Sequence, residues 1–163
     1  MYYLHEKLFS FFLNKDIVIY AYSDSKIGAR SSFMPLKLSL KPGEKFVING
    51  AVITNGDRRA TLTLQNKASL LRQKDIMHKT EAITPAKRIY FPLMMMYLSS
   101  NQENDYYNEF MLRMTEFMGA IKNPDVLSDC VAVGRSVMAG ELYNALLKCR
   151  RLMSYEDECF RQN

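Results

Sequence analysis

The chain is short of the residues from which catalytic and metal centres are built. It holds two histidines and three cysteines. The odd set Cys130, Cys149 and Cys159 has no ligand-pair spacing and fits a reducing cytoplasm. No GxxxxGKS/T loop, no GxGxxG turn and no HExxH helix occurs, and the order of Ser, His and Asp suggests no triad. His5 and His78 stand alone and read as surface residues. The expectation is therefore a protein that is not an enzyme and carries neither a cofactor nor a metal. No repeat of solenoid period is present.

Long apolar runs are missing too. A membrane span needs about 20 apolar residues, and a signal peptide needs an unbroken apolar centre followed by small residues. Here Leu8-Phe9-Ser10-Phe11-Phe12-Leu13 is cut off from Ile17-Val18-Ile19-Tyr20 by Asn14-Lys15-Asp16. Neither a span nor a signal peptide is expected, and the location read from the chain is cytoplasmic.

What the chain does have is a globular composition, 48% apolar and 24% charged, enough for a real core. The stretch from Met34 to Met77 alternates apolar and polar residues between turns at Pro42-Gly43, Asn49-Gly50, Asn55-Gly56 and Asn66-Lys67. It predicts a small five-stranded antiparallel module. In its first run Leu36, Leu38 and Leu40 share one face and Lys37, Ser39 and Lys41 the other. Further strands are expected at Lys45 to Ile48, Ala51 to Thr54, Ala60 to Gln65 and Ala68 to Leu71, with Arg72 following at once.

Charge sets this stretch apart. From Met34 to Lys79 there are nine basic and three acidic residues, whereas from Thr80 onward nine basic face eleven acidic. The excess sits on the sheet and points to a polyanion. A plainer reading is that Lys37, Lys41, Arg58, Arg59, Lys67, Arg72 and Lys74 are solvated charges that keep an exposed sheet from pairing edge to edge. Arg58-Arg59 suits phosphates, because guanidinium forks bind them bidentately. Aromatic residues do not interleave with the basic ones, so RNA readout by stacking in the manner of an RRM is not expected.

Beyond the connector His78 to Ile83 the rhythm turns helical. Thr84-Pro85 reads as a cap with proline at the first helical position, and Pro92 should kink or restart that helix. Tyr107, Phe110, Met111, Met114, Phe117, Met118 and Ile121 form a core-facing stripe. Asn123-Pro124-Asp125 starts another helix, with Leu127, Cys130, Val131, Val137 and Met138 inward. After a break at Gly140, Leu142, Leu146, Cys149 and Met153 continue the pattern. The acidic end Glu156-Asp157-Glu158 reads as a solvated face or fraying terminus. The methionines read as core, with an adaptable partner groove as the other possibility. The fold class is α+β: residues 34–79 a basic antiparallel β module, residues 80–163 a helical region.

The run MPLKLSLKPGEKFVINGAV, then NGDRRATLTLQNKASLLRQKDIM and TPAKRIYFPLMMMYL, closely resembles the flagellar biosynthesis repressor FlbT family from Met34 to about the chain end. The resemblance implies a post-transcriptional regulator that binds the 5′ untranslated leader of flagellin mRNA and lowers its translation or lifetime. Some members of that family act in the positive direction. It also implies functional pairing with a FlaF-type flagellar regulator, for which exposed Met and Tyr residues on helices would be the docking place. Because the resemblance begins at Met34, residues 1–33 read as a non-native or poorly ordered extension from an upstream start codon, or else as a genuine extension packed on the sheet or helices.

A weaker resemblance runs to the carbon storage regulator CsrA, with Gly43-Glu44 at the first turn and Leu71-Arg72-Gln73-Lys74-Asp75-Ile76 in place of that family's strand-end arginine motif. It implies RNA contact through Lys37, Ser39, Lys41 and Arg72, with Arg72 as base reader, and a possible homodimer. Where CsrA has two arginines before its glycine turn, this chain has Leu40 and Lys41. The RNA-binding residues expected are thus Lys37, Ser39, Lys41, Arg58, Arg59, Lys67, Arg72 and Lys74. The alternative is a protein-interaction regulator or flagellin-handling chaperone that works through the helical region.

Overall fold

A computed structural model describes residues 16–19 and 104 as backbone, and 35–99 and 105–162 in full. The expectations for residues 1–33 otherwise lie outside the described residues. The protein is α+β, an antiparallel β module followed by four helices. The chain divides into two compact units, Met1–Lys45 with Thr54–Ala68, and Phe46–Ile53 with Ser69–Asn163.

The first unit holds a sheet in the order β1-β5-β2, with β1 at Asp16–Ile19, β2 at Leu36–Leu40 and β5 at Ala60–Leu64. β2 is antiparallel to β5, and β1 is parallel to it. Cross-strand register sets Leu38 opposite Leu62 and Leu40 opposite Ala60, while Lys37 faces Thr63 and Ser39 faces Thr61. Paired residues point to the same face, so across β2 and β5 one side is apolar, closing on buried Leu40, Leu62 and Leu64, and the other is polar.

The second unit contains a sheet in the order β4-β3-β6, with β3 at Lys45–Ile48, β4 at Ala51–Thr54 and β6 at Leu70–Arg72. The first four strands between Leu36 and Leu64 thus fall where alternation puts them, whereas the last begins at Leu70 rather than Ala68 and takes in Arg72, and the strands are shared between two three-stranded sheets. The reason is visible in β3: Phe46, Val47 and Ile48 are consecutive and all buried, so this strand is covered on both faces, whereas β2 alternates and covers one. Asn49 and Gly50 turn β3 into β4 with φ of 48 and 81, the pair of positive angles that a two-residue hairpin requires.

The helices are α1 (Pro85–Leu98), α2 (Asn104–Ala120), α3 (Pro124–Met138) and α4 (Leu142–Gln162). α1 packs on α2 and α4, and α3 packs on α4. Leu71 of β6 joins their core beside Ile89, Leu93, Phe110, Val133 and Leu146. Asn123 caps α3 by accepting from Asp125 N at 2.9 Å. α3 ends with Gly140 N donating to Val137 O at 3.0 Å and Glu141 N to Ser136 O at 2.9 Å, a Schellman closure with Gly140 at φ 72.

Four expectations for the helices are corrected. Pro92 does not restart α1, which runs unbroken through it with the ring buried in the core. The inward stripe of α3 is Val126, Cys130, Val133 and Val137, while Val131 and Met138 are 43% and 84% exposed. The two apolar stripes differ by one residue, or about 100°, and packing on α4 selects one of them. On α2, Phe110, Met114 and Phe117 are buried, but Tyr107 and Met111 are exposed.

The fourth concerns Glu156, which is buried rather than solvated. Thr84 does not cap α1 with its own side chain. The Glu156 carboxylate of α4 takes that place, accepting from Ala86 N at 3.0 Å and from the Thr84 hydroxyl. A helix N-terminus presents unpartnered N–H groups and positive potential, which is why a buried carboxylate is stable there.

Candidate nucleic-acid interface

Six of the eight expected RNA-binding residues fall in the first unit and two in the second. In the first, exposed Lys37 and Ser39 lie on β2 beside half-buried Thr63 and Thr61 of β5, forming a polar face. Lys41 follows β2 in the same alternating phase. It opens the turn Lys41-Pro42-Gly43-Glu44, closed by Glu44 N donating to Lys41 O at 3.1 Å and by Lys41 N donating to Glu44 Oε2 at 2.8 Å. Arg58 and Arg59 lead into β5 at the end where Ala60 meets Leu40, whereas Lys67 follows β5 beyond its other end. Lys37, Lys41, Arg58, Arg59 and Lys67 are exposed. Among the described residues none of them is joined to a carboxylate.

Asn55 was legible only as a turn residue, yet it organises this end of the sheet. It is buried, and its amide Nδ2 donates to Lys41 O at 2.7 Å, Arg58 O at 2.9 Å and Leu40 O at 3.5 Å. Its backbone N donates to Glu44 O at 2.9 Å, and Gly43 N donates to Gly56 O at 3.0 Å. The turns that carry Lys41 and Arg58 are therefore laced together.

In the second unit Arg72 ends β6 opposite Phe46 and is half-buried, and exposed Lys74 lies in the single helical turn Gln73–Asp75. This segment is held by the helices. Arg150 of α4 reaches Asp75 Oδ1 at 3.0 Å, and the Tyr90 hydroxyl of α1 donates to Asp75 O at 2.7 Å. Leu70 N donates to the Tyr97 hydroxyl at 2.9 Å. Burial raises both tyrosine hydroxyls above their ordinary pKa of 10.0, so both stay neutral, Tyr90 as donor to Asp75 O and Tyr97 as acceptor from Leu70 N. No sequence signal marked Tyr90, Tyr97 or Arg150 for these tasks, since each partner is distant in the chain.

Fold and surface together define an α+β protein whose first unit carries the exposed cations Lys37, Lys41, Arg58, Arg59 and Lys67 on one strand and in the turns beside it. Its sequence matches the family model "Flagellar protein FlbT" over residues 36–160. It is 64% identical over 125 residues to the "Probable flagellum biosynthesis repressor protein FlbT" of Caulobacter sp. (strain K31), covering 77% of this chain and 95% of that one. The "Flagellum biosynthesis repressor protein FlbT" of Caulobacter vibrioides (strain ATCC 19089 / CIP 103742 / CB 15) is 61% identical, over 77% of this chain and 89% of the relative. A relative from Rhodopseudomonas palustris (strain TIE-1) is 38% identical, over 77% and 97%. No solved structure matches. The chain belongs to the FlbT family and is by class a regulator of flagellum synthesis. Among the described residues no helix is long and apolar enough to cross a membrane.

Proposed function

We propose that this regulator acts after transcription, by binding the 5′ untranslated leader of a flagellin mRNA and lowering its translation or its lifetime. The observation that carries this reading is the polar face of β2 and β5, on which Lys37 and Ser39 are exposed, flanked by Lys41, Arg58, Arg59 and Lys67, cations that have no carboxylate partner among the described residues, in a chain of a flagellar repressor family. Exposed cations attract the phosphate backbone and displace its counterions. Arg72, held by the helical unit, is the base reader in this scheme, and a cellular ribonuclease carries out any decay. The helical region receives protein partners, of which a FlaF-type flagellar regulator is one, in the cytoplasm.

The test is binding of the full chain to a flagellin leader transcript over a salt series. The logarithm of affinity should fall linearly with the logarithm of salt concentration. Affinity indifferent to salt, or equal for the leader and a shuffled transcript, contradicts the proposal. The second reading, flagellin handling through the helices, is favoured by exposed Tyr107, Met111 and Leu112 on α2. It requires flagellin capture that persists at high salt.

A further inference from the structure

The sequence marks three cations before and after two glycine turns; the fold brings those turns together and fixes them on one buried side chain. Lys41 O and Arg58 O both accept from the same Asn55 nitrogen, at 2.7 and 2.9 Å. Two backbone bonds, Gly43 N to Gly56 O and Asn55 N to Glu44 O, complete the lacing. Residues 41 and 58 are thereby spatial neighbours with fixed backbones, and Arg59 follows directly. Glu44 and Asp57 lie in the same turns. Glu44 turns its carboxylate to Lys41 N, so it serves the turn, and Asp57 is exposed. Holding like charges together is unfavourable in the free protein and favourable once an anion lies between them.

We propose that Asn55 is the positioning residue of a phosphodiester-binding cluster in which Lys41, Arg58 and Arg59 hold the RNA backbone at one end of the first sheet. The proposal rests on the RNA reading above and deepens it by separating where the backbone is held from where bases are read. Guanidinium groups offer bidentate donors to phosphate oxygens and lysine a point charge. Lys67, which follows β5 beyond its other end, is a second backbone contact, separated from the cluster by the length of that strand, about 13 Å at 3.3 Å per residue.

The probe is poly(U) RNA, titrated against the full chain over a salt series, with circular dichroism and thermal melting to verify folding. The triple variant K41Q/R58Q/R59Q should lower the salt slope by about 2 and the affinity about a hundredfold at ~0.1 M salt, taking roughly 0.7 per lost single-strand contact. Asn55→Ala, with all cations present, should lower affinity about tenfold and the slope by about 1. Placed on top of the triple variant it should add nothing. A purely structural role for Asn55 would lower the melting temperature and leave the slope of the folded protein unchanged, which overturns the proposal. An unchanged slope in the triple variant overturns it too, while the RNA reading stands if wild type still binds with steep salt dependence. Wild type that does not bind poly(U) or the leader transcript removes the RNA reading and this proposal together. Asn55→Asp, similar in size and without the amide donors, is the second variant. If neither Asn55 variant folds, the slope of the triple variant decides.

Discussion

In the helical unit Arg113 reaches Glu109 and Glu116 at 2.9 and 3.0 Å, Arg150 reaches Asp75 at 3.0 Å and Arg151 reaches Asp129 at 3.2 Å. Lys148 donates to Ser136 Oγ at 2.7 Å. In the sheet unit Lys37, Lys41, Arg58, Arg59 and Lys67 have no such partners among the described residues. The same residue types therefore do different work. Where acids and bases are nearly balanced, cations are engaged by internal partners, within α2, between α4 and α3, and between α4 and the turn at Asp75; where bases are in excess, they face solvent and are available to an external anion. Exposed surface pairs contribute little to stability, so the contrast lies in what each unit offers a ligand.

The largest effect expected from breaking this contrast is on stability, in the helical unit. Phe110 is fully buried, and Phe110→Ala should cost about 3–5 kcal/mol in chemical denaturation; a loss below about 1 kcal/mol would show that the helices do not form the core described. Next comes Glu156, whose carboxylate holds the start of α1. Glu156→Ala should cost about 1–3 kcal/mol and Glu156→Gln less, since an acceptor is retained. RNA affinity of the folded protein should be unchanged in both.

On the basic side, Arg72→Gln should reduce discrimination between leader and shuffled transcript by about 1–3 kcal/mol. Lys67→Gln should weaken both alike and lower the salt slope by about 1. Equal behaviour of the two variants would erase the distinction between base reader and phosphate contact.

The smallest effect is a pH dependence inside the helices. Burial, with Asp129 adding to it, pushes the Cys130 thiol from the ordinary 9.0 up to about 11. The unfolded chain releases this proton first, so the contribution is complete below pH 9 and is lost as pH rises through 11. Denaturation midpoints at pH 8 and pH 11 should differ less in Cys130→Ala than in wild type.

Local chemistry was legible and long-range pairing was not. β3 and β4 fall where Lys45-Phe46-Val47-Ile48 and Ala51 to Thr54 predict them, because alternation and an Asn-Gly turn are local signals. The division into two sheets depends on β2 choosing β5, a partner that alternation alone does not name. Val131 and Met138 were assigned inward because apolar stripes one residue apart on α3 look alike until a neighbour covers one of them. Glu156 sits in an acidic run that resembles a solvated end, and its partners Thr84 and Ala86 are 72 and 70 residues away. Asn55 carries an ordinary turn signature, and only closure of the two turns gives its amide three carbonyls. The basic residues themselves were legible from charge, and the fold adds that six of the eight share one unit.

The most direct measurement is ultraviolet cross-linking of the full chain to a flagellin leader transcript, followed by identification of the attached peptides. The account predicts attachment at peptides from β2, the Asn55–Arg59 loop, β5 and the Arg72 segment. Attachment confined to peptides of α2, α3 and α4, with the sheet unmarked, would contradict it.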